Sequence, residues 1–143
     1  MPKTKLDTLD IADRLRPVLL QVGRELRREA REVGISPEQV AVLVAIKYSP
    51  GIGVRDLAVR ERVSAPAMSN HVDRLERDGL VQRTPNAQDK RRVGVSLTDE
   101  GQRVLRQVRS RRTAWLATRL KGLTDEQLAA IDAAIEPLRE LLP

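Results

Sequence analysis

"SAPAMSNHVDRLERDGLVQRTPNAQDKRRVGVSLT", residues 64–98, holds a capped helix, a reversal and a charged hairpin in direct succession. Ser64 reads as an N-cap, Pro66 lies in the first turn, and Gly79 closes the segment as a C′ residue. At about 100° per residue, Met68, Val72 and Leu75 fall on one side, which is expected to face a core. Pro66, Asn70, Asp73, Arg74 and Arg77 then lie opposite, with Ser69 on the flank. "LVQRT" and "VGVSL" are strand-like and flank a polar turn, which predicts a β-hairpin. Its tip sets Lys90, Arg91 and Arg92 behind Asp89. Like charges at an exposed tip gain little from folding. They gain much if a phosphate backbone or a narrow minor groove receives them. Asp89 is expected to pair with Arg91 and hold it in one orientation.

Two helices joined by a tight turn and followed by a basic hairpin have the order of a winged helix-turn-helix. A helix that is small or polar near its N-terminus fits the major groove; Asn70 suits adenine, and Arg74 suits a guanine or a phosphate. The plain alternative makes Arg74 and Arg77 solvating groups of a surface helix, with Asp73 and Glu76 as their partners, and the hairpin tip a flexible basic loop.

Outward from this stretch the chain is mostly helical. Apolar residues at 15, 18, 19, 22, 26 and 33 keep helical spacing, and Pro17 is expected to kink or restart that helix near Arg16. Ser36, Pro37 and Gln39 form a capping box opening "VAVLVAIKY", apolar nearly all round and so the expected buried centre, which "SPGIG" ends. "VRDLAVRE" is the first helix of the pair. Thr98 caps a long helix with Asp99 and Glu100 in its first turn, and Thr124 with Gln127 opens a last one carrying Leu128, Ile131, Ile135 and Leu138 as one stripe. The expected fold is mostly α with a small β-hairpin: an N-terminal dimerisation region (1–35), a winged helix-turn-helix (36–98), and a C-terminal linker with dimerisation helices (99–143). The terminal apolar residues exceed what a winged-helix core requires, and such patches mark an interface.

Composition narrows the function. The 143 residues carry 26 Lys and Arg against 20 Asp and Glu, a net charge of +6, with a pI near 10.4. That balance suits nucleic acid, though also an acidic membrane surface. There is no cysteine and one histidine, His71, which excludes thiolate chemistry and a histidine metal cluster. His71 is expected to be partly buried and hydrogen-bonded. Tyr48 and Trp115 are the only aromatics, against base stacking on single strands. No apolar run is long enough to span a membrane and no signal peptide is visible, so a soluble, cytoplasmic protein is expected. Seven cations and no acid occupy 103–121; they read as a solvated face, or as a surface meeting a partner's Glu29 or Glu32. Trp115 is expected at the junction with the DNA-binding lobe, near an effector cavity whose lining no motif identifies.

Leu57-Ala58, Val63-Ser64, Asp73-Arg74-Leu75-Glu76, Gly79-Leu80-Val81 and Arg83, followed by Asp89, Arg91, Leu97 and Thr98, resemble the multiple-antibiotic-resistance regulator (MarR) family of bacterial transcription factors. The resemblance is specific over residues 54–102. It implies a homodimer placing recognition helices in successive major grooves of a pseudo-palindromic operator and wings in the flanking minor grooves. By matching position, Ala65, Pro66, Ser69, Asn70 and Arg74 are the expected recognition-helix contacts and Arg91 the wing contact. Ser64 at the cap, with Lys90 and Arg92 beside Arg91, completes the expected DNA-binding set, and Asp89 supports the wing. Many members are repressors released by small anionic or phenolic ligands, so a small-molecule effector of unknown identity is expected and no cofactor or metal. Two departures stand out: members often carry Arg where this chain has Asn70, and many such turns have Gly where Arg62 stands. The rival reading is a winged-helix protein-interaction module whose basic face meets an acidic partner. Enzymatic catalysis is not expected, because Asp73, Glu76, Asp89 and Asp99 all have structural roles nearby.

Overall fold

The computed structural model describes residues 5–143; residues 1–4 of the expected N-terminal region lie outside it. Six helices and one two-stranded sheet follow one another as α1 (Thr8–Glu32), α2 (Pro37–Tyr48), α3 (Val54–Glu61), α4 (Ala65–Arg77), β1 (Val81–Pro85), β2 (Val93–Leu97), α5 (Asp99–Leu120) and α6 (Asp125–Arg139). The caps fall where the sequence put them. Ser36 with Gln39, and Thr124 with Gln127, make complete capping boxes, while Ser64 and Thr98 accept N–H bonds from Ala67 and Gly101.

α1 starts ahead of its first apolar repeat and does not restart at Pro17. It begins at Thr8, capped by the Asp7 carboxylate, and it continues through Pro17 as one helix. Proline removes one N–H and crowds the preceding turn, but Pro17 lies in an exposed stretch where water can satisfy the freed Asp13 carbonyl.

α2 is the centre. Val40, Val42, Leu43, Ala45 and Ile46 are buried, and the helix touches α1, α3, α4, α5 and β2. Around it close Leu57 of α3, Met68, Val72 and Leu75 of α4, Val95 of β2 and Val108 of α5. Each fully buried side chain of this kind contributes about 1.5–3 kcal/mol. The buried Gln39 is satisfied, its side-chain oxygen accepting the Ser36 N–H at 3.2 Å.

The hairpin is antiparallel, with Val81 opposite Leu97 and Pro85 opposite Val93. It is also sewn to the α2–α3 loop, a connection no strand pattern announced. Gly51 N–H donates to the Val95 carbonyl at 2.9 Å, Val95 N–H to Ile52 at 2.9 Å, and Ala87 N–H to Gly51 at 3.0 Å. The approach is so close that a Cβ on Gly94 would overlap the Gly51 carbonyl oxygen. At the other end, Thr98 donates its hydroxyl to the Gly79 carbonyl at 2.6 Å, tying the start of α5 to the end of α4. The wing root is therefore held from two sides.

Candidate nucleic-acid interface

α3 and α4 meet through a turn in which Arg62 takes the left-handed conformation, φ 55° and ψ 44°. A non-glycine residue there costs about 1–2 kcal/mol, yet the turn keeps the tightness the pair needs. α4 then buries Met68, Val72 and Leu75. Ser64, Ala65, Pro66, Asn70 and Arg74 are all exposed, and Ser69 is half-buried. One continuous face of the helix is thus open, with its small residues at the N-terminal end.

The acids on that helix do not pair with its own arginines. Arg83 reaches across from β1 and sets Nη2 2.8 Å from Asp73 Oδ1 and Nε 3.4 Å from Glu76 Oε2. Arg74 and Arg77 have no acid within ion-pair distance among the described residues. The plain alternative, in which Asp73 and Glu76 partner Arg74 and Arg77, is corrected, because a long side chain on the neighbouring strand offers a guanidinium to both carboxylates at once. Arg83 appeared in the sequence only as a family signature; its position opposite Val95 in the hairpin register is what carries it to α4.

At the wing tip, Asn86 Oδ1 accepts the N–H groups of Gln88 and Asp89, and Arg92 N–H donates to the Asp89 carbonyl at 2.9 Å. Asp89 Oδ1 accepts both the backbone N–H and the Nε–H of Arg91, at 3.1 and 3.2 Å. Arg92 Nε lies 3.8 Å from the same carboxylate. The Arg91 side chain, then its backbone N–H, holds the Asp89 carboxyl below the ordinary aspartate range. The charged pair is therefore present at neutral pH and is lost only as pH falls through that lowered value. One carboxylate orients two cations while their side chains stay 91% and 80% exposed. Lys90 beside them is exposed as well.

A second feature lies between α1, α2 and α5. A groove of about 510 Å³ is lined by Leu26, Val40, Val44, Tyr48, Leu105, Val108 and Leu116 together with Lys47, Arg109, Arg112 and Thr113. Burial, and then the nearby Arg27, lower the Arg112 pKa, while its Nε–H donates to the Leu26 carbonyl at 3.0 Å. Among the lining residues are three cations and no acid. Trp115 is elsewhere, beside Gln21, Val22, Arg24 and Glu25 of α1 and under the Arg119 guanidinium at 3.8 Å from its ring centre. The junction expected for Trp115 is taken by Tyr48 instead, since Trp115 lies nearly two turns beyond Val108, the last buried residue of α5.

Glu29 pairs with Arg111 of its own chain at 3.1 Å, so that acid is not left for a partner's cations. His71 is half-buried at the edge of α4, but its ring has no hydrogen-bond partner among the described residues. Among these residues there is also no group of three or more potential metal ligands, and no helix long and apolar enough to cross a membrane.

The sequence model of the MarR family matches residues 35–93. The HTH-type transcriptional repressor MdtR of Bacillus subtilis (strain 168) is 33% identical over 119 residues, spanning 83% of this chain and 77% of that protein. A putative transcriptional regulator protein from Pseudomonas aeruginosa PA01 is 33% identical, with a TM-score of 0.81 over 93% of this chain and 94% of that one. A MepR variant from S. aureus, solved bound to an oligodeoxyribonucleotide, shares the fold at 23% identity, with a TM-score of 0.69 over 93% of this chain and 98% of that one. The first two of these are named for control of transcription, not for catalysis. The chain belongs to the MarR family of transcription regulators.

Proposed function

We propose that the protein is a repressor that binds a pseudo-palindromic operator in double-stranded DNA as a homodimer and releases it on binding a small effector. One observation carries the DNA reading: a hairpin anchored on two sides presents Arg91 and Arg92 almost wholly exposed. Ser64, Ala65, Pro66, Ser69, Asn70 and Arg74 meet the major groove, and Lys90, Arg91 and Arg92, supported by Asp89, meet backbone or minor groove beside it. The oligonucleotide on the MepR variant supports the same use of this fold.

The regions 1–35 and 99–143 supply the dimer contacts. No residue of α6 is buried, and Ile131 and Ile135 remain 44% and 47% exposed. A two-fold pair sets the two α4 helices about 34–36 Å apart, matching successive major grooves. The groove at Tyr48 receives the effector, a small molecule with an apolar body and a negative charge, since its walls are apolar and its only charges are positive. No cofactor is required.

Duplex affinity across a salt series tests the reading. The logarithm of affinity should fall with that of salt by about 0.9 per neutralised phosphate. Arg91→Ala should weaken binding to most sequences and lower that slope. Asn70→Ala should relax preference at one base pair, costing about 1–3 kcal/mol on the best site. Parental binding by both variants would overturn the groove assignment.

A further inference from the structure

α4 sets two carboxylates beside the side chains proposed to read DNA. Asp73 follows Asn70 by three residues and Ser69 by four, so it shares their face, and Glu76 continues along its edge. Left alone, these acids would repel a phosphate backbone. They would also draw in the helix's own cations, since Asp73 and Arg77 stand at the i,i+4 spacing that favours pairing. The structure instead shows Arg83 from β1 holding Asp73 at 2.8 Å and Glu76 at 3.4 Å. Arg74 and Arg77 stay exposed and unpaired among the described residues.

We infer that Arg83 is a positioning residue for DNA binding: it occupies Asp73 and Glu76 and so keeps Arg74 and Arg77 free for phosphates. The inference rests on the duplex-binding reading above. Its physical basis is competition. Half-exposed ion pairs contribute little to folding, about 0–1 kcal/mol, so removing Arg83 should leave the lobe folded while changing which charges α4 offers. Without it, Asp73 would recapture Arg77 and Glu76 would stand uncompensated. The outer face of the helix would then pass from net attractive to about neutral.

The test measures affinity of the full chain for a promoter duplex at one salt concentration by fluorescence anisotropy, with circular dichroism as the check on folding. Arg83→Met should weaken binding about tenfold, the scale of one charge-assisted contact. Adding Asp73→Asn and Glu76→Gln to that variant should restore most of the loss, because nothing then competes for Arg74 and Arg77. Arg77→Ala should cost less in the Arg83→Met background than in the parent, since Arg77 is already withdrawn there. Should Arg83→Met fail to fold, Asp73→Asn with Glu76→Gln in the otherwise parental chain decides: binding at least as tight as the parent supports the inference, and weaker binding overturns it. Parental affinity for Arg83→Met overturns it too, as does a triple variant as weak as the single one, which would mean that Arg83 touches the DNA itself. A parent that ignores duplex altogether overturns the functional reading instead.

Discussion

α4 and α6 are written in the same way, each with one apolar stripe at helical spacing and polar residues elsewhere, yet they end in opposite circumstances. Met68, Val72 and Leu75 of α4 are wholly buried against α2, α3 and the hairpin. Ile131 and Ile135 of α6 stay exposed, Leu128 and Leu138 are only half-buried, and no residue of that helix is buried. An isolated helix of 15 residues is marginal in water without a packed face. The winged-helix lobe thus covers its own apolar stripe, whereas the stripe of α6 is left largely open by the described residues.

The contrast can be broken most forcefully at α6. Ile131→Glu combined with Ile135→Glu should raise the dimer dissociation constant at least about 100-fold, since each buried isoleucine contributes about 1.5–3 kcal/mol. Sedimentation equilibrium reads the mass, and the lobe should stay folded in the resulting monomer. A dimer that persists would show that the exposed stripe of α6 is not where the copies meet.

The lobe should respond in the complementary way. Gly94→Ala forces a Cβ onto the Gly51 carbonyl and should cost about 1–3 kcal/mol. Thermal unfolding would show a lower midpoint with the dimer mass unchanged. An unchanged midpoint would mean that the seam between the wing and the α2–α3 loop gives way without strain.

The smallest effect should come from Arg62, whose left-handed backbone is the only positive φ outside glycine among the described residues. Arg62→Gly should relieve that strain, less the added chain entropy of glycine, for a net gain of about 0.5–1 kcal/mol. Urea denaturation should show a higher midpoint at unchanged slope. No gain would place the compensation in contacts of the Arg62 side chain.

Much of this molecule was legible before folding. Ser36, Ser64, Thr98 and Thr124 announced their helices because an N-cap bond spans only three residues. The hairpin and the Asp89–Arg91 pair were readable for the same reason. Misreadings arose where the outcome depended on what lay opposite. The plain alternative sought the partner of Asp73 within its own helix, and that partner stands on a strand ten residues away. Glu29, offered only as an alternative partner for a second copy's cations, pairs with a residue 82 positions along its own chain. Pro17 was expected to kink or restart its helix because local chemistry penalises it, and α1 does not restart there.

By itself, then, the sequence determined where helices begin and end, which of their faces are apolar, and that three cations crowd one turn, since all of these follow from bonds and side-chain periods within a few residues. Only the tertiary structure decided that the wing is sewn to the α2–α3 loop, that Arg83 takes both acids of α4, and that a cationic groove opens beside Tyr48. The reason is that a charge or a carbonyl pairs with whatever the packing brings within about 3 Å, and no local pattern encodes that neighbour.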